Sequence, residues 1–258
     1  MKKKPYKLCP VLIITLFIAH RSAFLFCGGF MIEKNLPQSH GIYEKSLTLK
    51  NGEVFRYTLS LPDSFLPEKK VPLVVALHFG GEVTPWYGKG YLTILVEPAW
   101  FNLGAIIVAP DCPTPVGWDN PRSETAVIAL VDHMKQYYNI DEKKIVLTGF
   151  SLGGIGTWYL ASRHPHLFSA AVPMSSMPKA DVLESLGDVP YYVIHSTGDE
   201  IFPIKKVEEL IGKIKARGMD VQFKALDGVS HYRTASFVKA LREAVPWILN
   251  IWENKKSQ

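Results

Sequence analysis

From about residue 44 onward, short runs of contiguous apolar residues alternate with longer stretches of helical spacing. Residues 44–62 hold two β-rich runs split by Asn51-Gly52, a dipeptide that favours the left-handed conformations of a tight hairpin turn. Residues 72–77, 105–109, 144–148, 170–173 and 191–194 are apolar without period-two alternation, as expected of strands covered on both faces. Residues 221–226 do alternate and read as a strand near a sheet edge. Between these runs, residues 123–138 set Val127, Leu130, Val131 and Met134 on one helical face. A helix over 152–163 stops at His164-Pro165, and one over 203–217 starts with Pro203 as its first residue and is capped by Gly218. Residues 234–252 read as a single closing helix. Strand and helix alternate throughout, which predicts an α/β body with a mostly parallel sheet flanked by helices.

Charge divides the chain. Of its 258 residues, the first 40 hold six basic side chains and one acidic, leaving 23 of each sign in residues 41–258. A neutral body has no electrostatic footprint for nucleic acid. Lys2 to Lys4 and Lys7 precede an apolar run over 8–19, the pattern of an export signal. That run is shorter than the roughly 20 residues a membrane span needs, and His20 and Arg21 separate it from a second apolar stretch over 23–32. Residues 1–40 therefore read as an export signal or anchor and 41–258 as one α/β domain. The product is periplasmic, secreted or membrane-anchored, with membrane contact confined to residues 1–32. A start at Met31 would instead give a cytoplasmic protein. A lipoprotein-like box at Phe24 to Cys27 and cleavage after Gly29 both stay open. The body carries one cysteine, Cys112, so it closes no internal disulfide. No C-x-x-C or H-E-x-x-H occurs, and no metal or organic cofactor is expected.

Gly149-Phe150-Ser151-Leu152-Gly153 is a G-x-S-x-G set between a predicted strand and a predicted helix. The serine of such a turn is strained and exposed, and flanking glycines remove side chains that would clash. A serine hydroxyl needs a base, and the base needs an orienting carboxylate. His231 follows the last predicted strand and Asp199 follows the one before it, both at carboxyl ends where the loops of an open parallel sheet gather. The chain order Ser151, Asp199, His231 is that found with a nucleophile elbow. Among the eight histidines, His164 and His166 come too early, and His195 sits at a strand end as a buried hydrogen-bonder. Glu200 and Asp227 compete with Asp199. A tight turn would point Glu200 away, and Asp227 precedes Gly228 as a turn residue. For a developing oxyanion, the N–H of Leu152 is one donor, and the loop His78-Phe79-Gly80-Gly81 supplies the other, Phe79 first and Gly80 second.

These residues resemble the α/β-hydrolase superfamily, and within it the single-domain carboxylesterases of the phospholipase/carboxylesterase and dienelactone-hydrolase-like groups, often called prolyl-oligopeptidase-like. Residues 138–158, 161–168 and 72–81 carry the likeness, which spans about 44–252. It implies an eight-stranded sheet with an antiparallel second strand. It also implies Ser151 as nucleophile, His231 as base, Asp199 as orienter, and Leu152 with Phe79 as oxyanion donors. The chain departs from lipases in the shortness of residues 175–189, which leaves no room for a large lid. Trp86, Trp118 and Met177 are the candidate walls of a substrate pocket, whereas Trp100 and Trp158 read as core and Cys112 as a buried, unreactive thiol. The expected reaction is hydrolysis of a small or polymer-derived carboxylic ester through an acyl-enzyme. A prolyl-oligopeptidase-type peptidase and a non-catalytic surface-binding module on the same fold are the alternatives.

Overall fold

The computed structural model describes residues 25–27, 30–32 and 36–254, with side chains from 36 onward. Leu25–Cys27 and Phe30–Ile32 form a short antiparallel pair. The residues on which the export reading chiefly rests lie outside the described ones.

The body is one eight-stranded sheet. Its strands are β1 (Gly41–Thr48), β2 (Val54–Leu61), β3 (Val71–Leu77), β4 (Ile106–Pro110), β5 (Ile140–Phe150), β6 (Ala170–Met174), β7 (Tyr191–Ser196) and β8 (Val221–Leu226), in spatial order 1-2-4-3-5-6-7-8. β2 runs antiparallel to both of its neighbours, and all other pairings are parallel. β1 and β2 close around the predicted Asn51-Gly52 turn. Gly52 takes φ 85°, and the Asn51 carboxamide oxygen accepts the Glu53 N–H at 3.0 Å. β8 is an edge strand, as its alternation predicts.

Helices cover both faces, which explains the unbroken apolar runs. In β3, Leu73, Val75 and Leu77 feed one core with Trp118 and Trp158, while Val74 and Ala76 feed the other with Trp100 and Trp252. β5 does the same with Ile145 and Leu147 on one side and Val146 and Phe150 on the other. The first face carries α3 (Pro121–Tyr137), α4 (Leu152–Arg163) and α6 (Ile204–Ala216); the second carries α7 (Val238–Glu243) and α8 (Val245–Asn254). A single short helix, α5 (Ala180–Glu184), lies between β6 and β7, so no large lid stands there.

Four expectations need correction. β5 begins at Ile140, four residues before the predicted start, because its charged Asp141 to Lys144 segment lies at the sheet margin. Pro203 is the residue before α6 rather than its first, with ψ 128° outside the helical range. The closing helix is three pieces, a 3-10 turn (Thr234–Phe237), α7 and α8. Pro246 has no N–H to offer the Arg242 carbonyl, and its ring would crowd that carbonyl, so a continuous helix fails there. Residues 87–103, to which the apolar pattern assigns no element, are helical throughout: α1 (Tyr87–Tyr91), a π-turn (Leu92–Val96), α2 (Glu97–Trp100) and a 3-10 turn (Phe101–Leu103). Gly88, Gly90 and Pro98 mask this segment from propensity, yet its buried Tyr91, Leu92, Leu95, Val96, Ala99 and Trp100 pack on one face.

Candidate active site

Ser151 ends the turn from β5 into α4 with φ 55° and ψ −115°, a conformation that costs a non-glycine residue about 1–3 kcal/mol. Its surroundings hold it there. The Ser151 N–H donates to the Met174 carbonyl at 3.0 Å, and the Ser151 carbonyl accepts the Ile155 N–H at 2.9 Å. Two glycines allow the close approach. A Cβ on Gly149 would lie 2.2 Å from the Gly153 carbonyl oxygen, and one on Gly153 would lie 1.9 Å from that of Leu77.

The serine hydroxyl lies 2.8 Å from His231 Nε2, and His231 Nδ1 lies 2.8 Å from Asp199 Oδ2. The three predicted side chains therefore form one hydrogen-bonded line across residues 80 positions apart. Asp199 Oδ1 accepts the N–H groups of Ile201 (2.9 Å) and Phe202 (2.8 Å). Burial opposes the charge of this carboxylate, but the hydrogen bonds from His231, Phe202 and Ile201 outweigh it and bring Asp199 down to about 2. An ionised Asp199 requires the proton on His231 Nδ1, leaving Nε2 free to accept from the serine. His195 is buried as expected: its Nε2 donates to the Phe202 carbonyl at 2.7 Å, bracing the same turn. Burial lowers its pKa.

Glu200 corrects the sequence reading. It does not point away: its carboxylate accepts the backbone N–H of His231 at 2.8 Å and so fixes the loop that carries the imidazole. Asp227 is a turn residue, taking a hydrogen bond from Thr197 at 3.1 Å.

Leu152 and the 78–80 loop adjoin one another. A Cβ on Gly80 would meet Leu152 Cδ1 at 2.8 Å. Phe79 and Gly80 line a cleft of about 540 Å³ that holds Ser151 and His231. The remaining walls are Ile94, Phe150 and residues 232–236, headed by the exposed Tyr232 and by Arg233. Sequence reasoning did not single out Ile94 or residues 232–236; the signal was the position of 232–236 directly after His231 and of Ile94 in the helical segment 87–103. The predicted walls do not join them. Trp118 is 1% exposed and packs in the core, with its Nε1–H donated to the His78 carbonyl at 3.0 Å. Met177 packs partly buried against the same core. Trp86 lines a neighbouring groove with Tyr87 and Tyr91, which meets the cleft at Phe79. Its indole is drawn outward to the Lys45 carbonyl at 3.3 Å. Trp100 and Trp158 are core residues, and burial raises the Cys112 thiol. Among the described residues no group of three or more His, Cys, Asp or Glu could hold a metal, and no helix is long and apolar enough to cross a membrane.

A model of the dienelactone hydrolase family matches residues 116–250, which include Ser151, Asp199 and His231. The chain belongs to that family. It is 29% identical over 154 residues to the bifunctional acetylxylan esterase/xylanase XynS20E of Neocallimastix patriciarum, across 57% of this chain but 22% of that protein. It is 27% identical over 201 residues to a probable feruloyl esterase C of Aspergillus terreus, across 72% and 71% of the two chains. Among solved structures, a thermostable esterase superposes with a TM-score of 0.69 at 27% identity, over 81% of this chain and 62% of that one. The sheet order, the antiparallel second strand and this superposition make the fold that of an α/β-hydrolase.

Two outcomes follow from the geometry. A methyl group in Gly153→Ala should lower stability by about 1–3 kcal/mol, because backbone rather than a flexible side chain stands in its way. Thermal unfolding would read that as a fall of roughly 2–12 °C. Asp199 titrates near 2 in the fold against a reference of 3.8. The depressed value contributes stability that is present above about pH 4 and is lost as pH falls through 2. Urea unfolding should show the advantage of wild type over Asp199→Asn narrowing by about 2 kcal/mol between pH 5 and pH 2.

Proposed function

We propose that this protein is a serine carboxylesterase that hydrolyses small or polymer-derived carboxylic esters through an acyl-enzyme intermediate. The observation that carries this is the unbroken Ser151–His231–Asp199 line opening on a cleft. His231 takes the Ser151 proton as Oγ attacks the ester carbonyl, and the resulting oxyanion is held by backbone N–H groups of Leu152 and of the 79–80 segment. His231 then protonates the departing alcohol. In the second half it removes a proton from water, which attacks the acyl carbonyl and restores Ser151. Asp199 holds the imidazole in the required tautomer throughout.

The cleft walls favour an acyl group with an apolar or aryl body. Phe79, Phe150 and Ile94 offer packing surface, and Tyr232 stands exposed at the rim. Aryl and acetyl esters on plant polysaccharide fit both this lining and the named activities of the feruloyl and acetylxylan esterase relatives. Residues 41–258 form the catalytic domain, and the basic, apolar residues 1–40 direct it out of the cytoplasm or anchor it, bringing it to polymer-derived substrate. The short β6–β7 connection makes access direct, so turnover needs no lipid interface.

A panel of p-nitrophenyl, acetyl and feruloyl esters tests the reading. Wild type should turn over esters, and Ser151→Ala should lower kcat by about 10⁶-fold, the scale seen when a triad serine is removed. An aminoacyl-prolyl anilide hydrolysed faster than every ester would instead make the protein a peptidase.

A further inference from the structure

The esterase reading leaves unexplained how the 78–80 loop keeps its N–H groups aimed at a developing charge. Phe79 is half-buried, Gly80 is exposed, and neither lies within a strand or helix. Free loop amides would rotate toward water and lose the preorganisation on which such sites depend.

Resting on that reading, we propose that Trp118 and His78 are positioning residues that lock two consecutive peptide planes, those bearing the N–H groups of Phe79 and Gly80. The described chain has no cis peptide bond, so each carbonyl and the following N–H point to opposite edges of one rigid plane. Trp118 Nε1–H donates to the His78 carbonyl at 3.0 Å. The N–H at the far edge of that plane belongs to Phe79. His78 Nδ1 lies 2.6 Å from the Phe79 carbonyl, and the N–H at the far edge of this second plane belongs to Gly80. Pinning a carbonyl fixes the direction of the N–H across from it.

The brace is itself anchored. His78 Nε2 accepts the Cys112 N–H at 2.9 Å, so the imidazole proton must sit on Nδ1, where the Phe79 carbonyl needs it. Burial keeps this imidazole neutral down to about pH 4. Trp118 is packed edge-on against the His78 ring at 5.0 Å. Its Cβ presses on α4, where a Cβ at Gly156 would lie 2.2 Å away. The same helix carries Leu152 at its start, so both sides of the anion-holding pair are referred to one rigid element. A carbonyl that accepts a hydrogen bond also polarises its peptide, which strengthens the opposite N–H as a donor. Trp118 thus acts on the site through backbone, without touching substrate.

The test compares Trp118→Phe with Trp100→Phe in the full chain. Trp100 is equally buried and its Nε1–H also bonds a carbonyl, that of Leu241 at 2.8 Å, but on the other face of the sheet. For p-nitrophenyl acetate, Trp118→Phe should lower kcat roughly 10–100-fold, less than full removal of an oxyanion donor. Its KM should stay within about twofold, because the loss falls on the charged transition state alone. Affinity for an arylboronic acid, which forms an anionic tetrahedral adduct with serine, should fall in step with kcat. Trp100→Phe should keep wild-type kcat and boronate affinity. Replacing Trp118 with benzothienylalanine keeps the ring shape without the N–H and serves the same readouts if the phenylalanine variant does not fold. Wild-type kcat and boronate affinity in a folded Trp118 variant would overturn the brace while leaving the esterase reading intact. Absence of any ester turnover by wild type would overturn both.

Discussion

The start of α4 presses directly on the end of β3, and the site is built around that contact. No side chain fits between Gly153 and the Leu77 carbonyl, so the helix comes within backbone distance of the central strand. This approach forces the sharp turn at Ser151, lifts its hydroxyl off the sheet, and sets Leu152 beside the loop that follows β3. The strain stored at Ser151 is held by a large two-faced core, not by the turn itself. Side chains of β3 and β5 enter alternate faces of that core, which fixes both strands that the turn depends on.

Around this rigid centre the other site residues arrive on loops at the carboxyl ends of neighbouring strands. The Asp199 loop is tied down by two backbone N–H groups and by the His195–Phe202 bond. The His231 loop is tied down by Glu200. Each functional side chain is thus positioned by a polar group that does not itself face the cleft. The division matters for energetics. Loops alone would leave the line from serine to carboxylate loosely set, and proton transfer falls off steeply as hydrogen-bond geometry degrades.

Much of this was legible in the sequence where local pattern and buried environment agree. Five continuous apolar runs located the strands buried on both faces, the alternating run over 221–226 located the edge strand β8, and the Asn51-Gly52 turn located the β1–β2 hairpin. The elbow was legible because its glycines answer a steric demand within five residues. The unread parts are those set by distant packing. The helical segment 87–103 hides behind two glycines and a proline, and only its burial against Val74 and Ala76 shows why it is helical. Trp118, a candidate cleft wall by sequence, faces the core and bonds a carbonyl 40 positions away in sequence. The turn that carries Glu200 directs its carboxylate back onto the His231 backbone N–H, a contact 31 positions away that no local pattern reveals. The cleft lining at Ile94 and residues 232–236 comes from two distant segments that only the fold brings together.

The account stands on a single activated hydroxyl. An active-site fluorophosphonate followed by peptide mass mapping addresses it most directly, because that reagent bonds only to a serine already paired with a base. One adduct per chain, on Ser151, is predicted for the folded protein, with none after unfolding or in His231→Ala. Labelling of a different residue, or equal labelling of Ser151 with and without the imidazole, would contradict it.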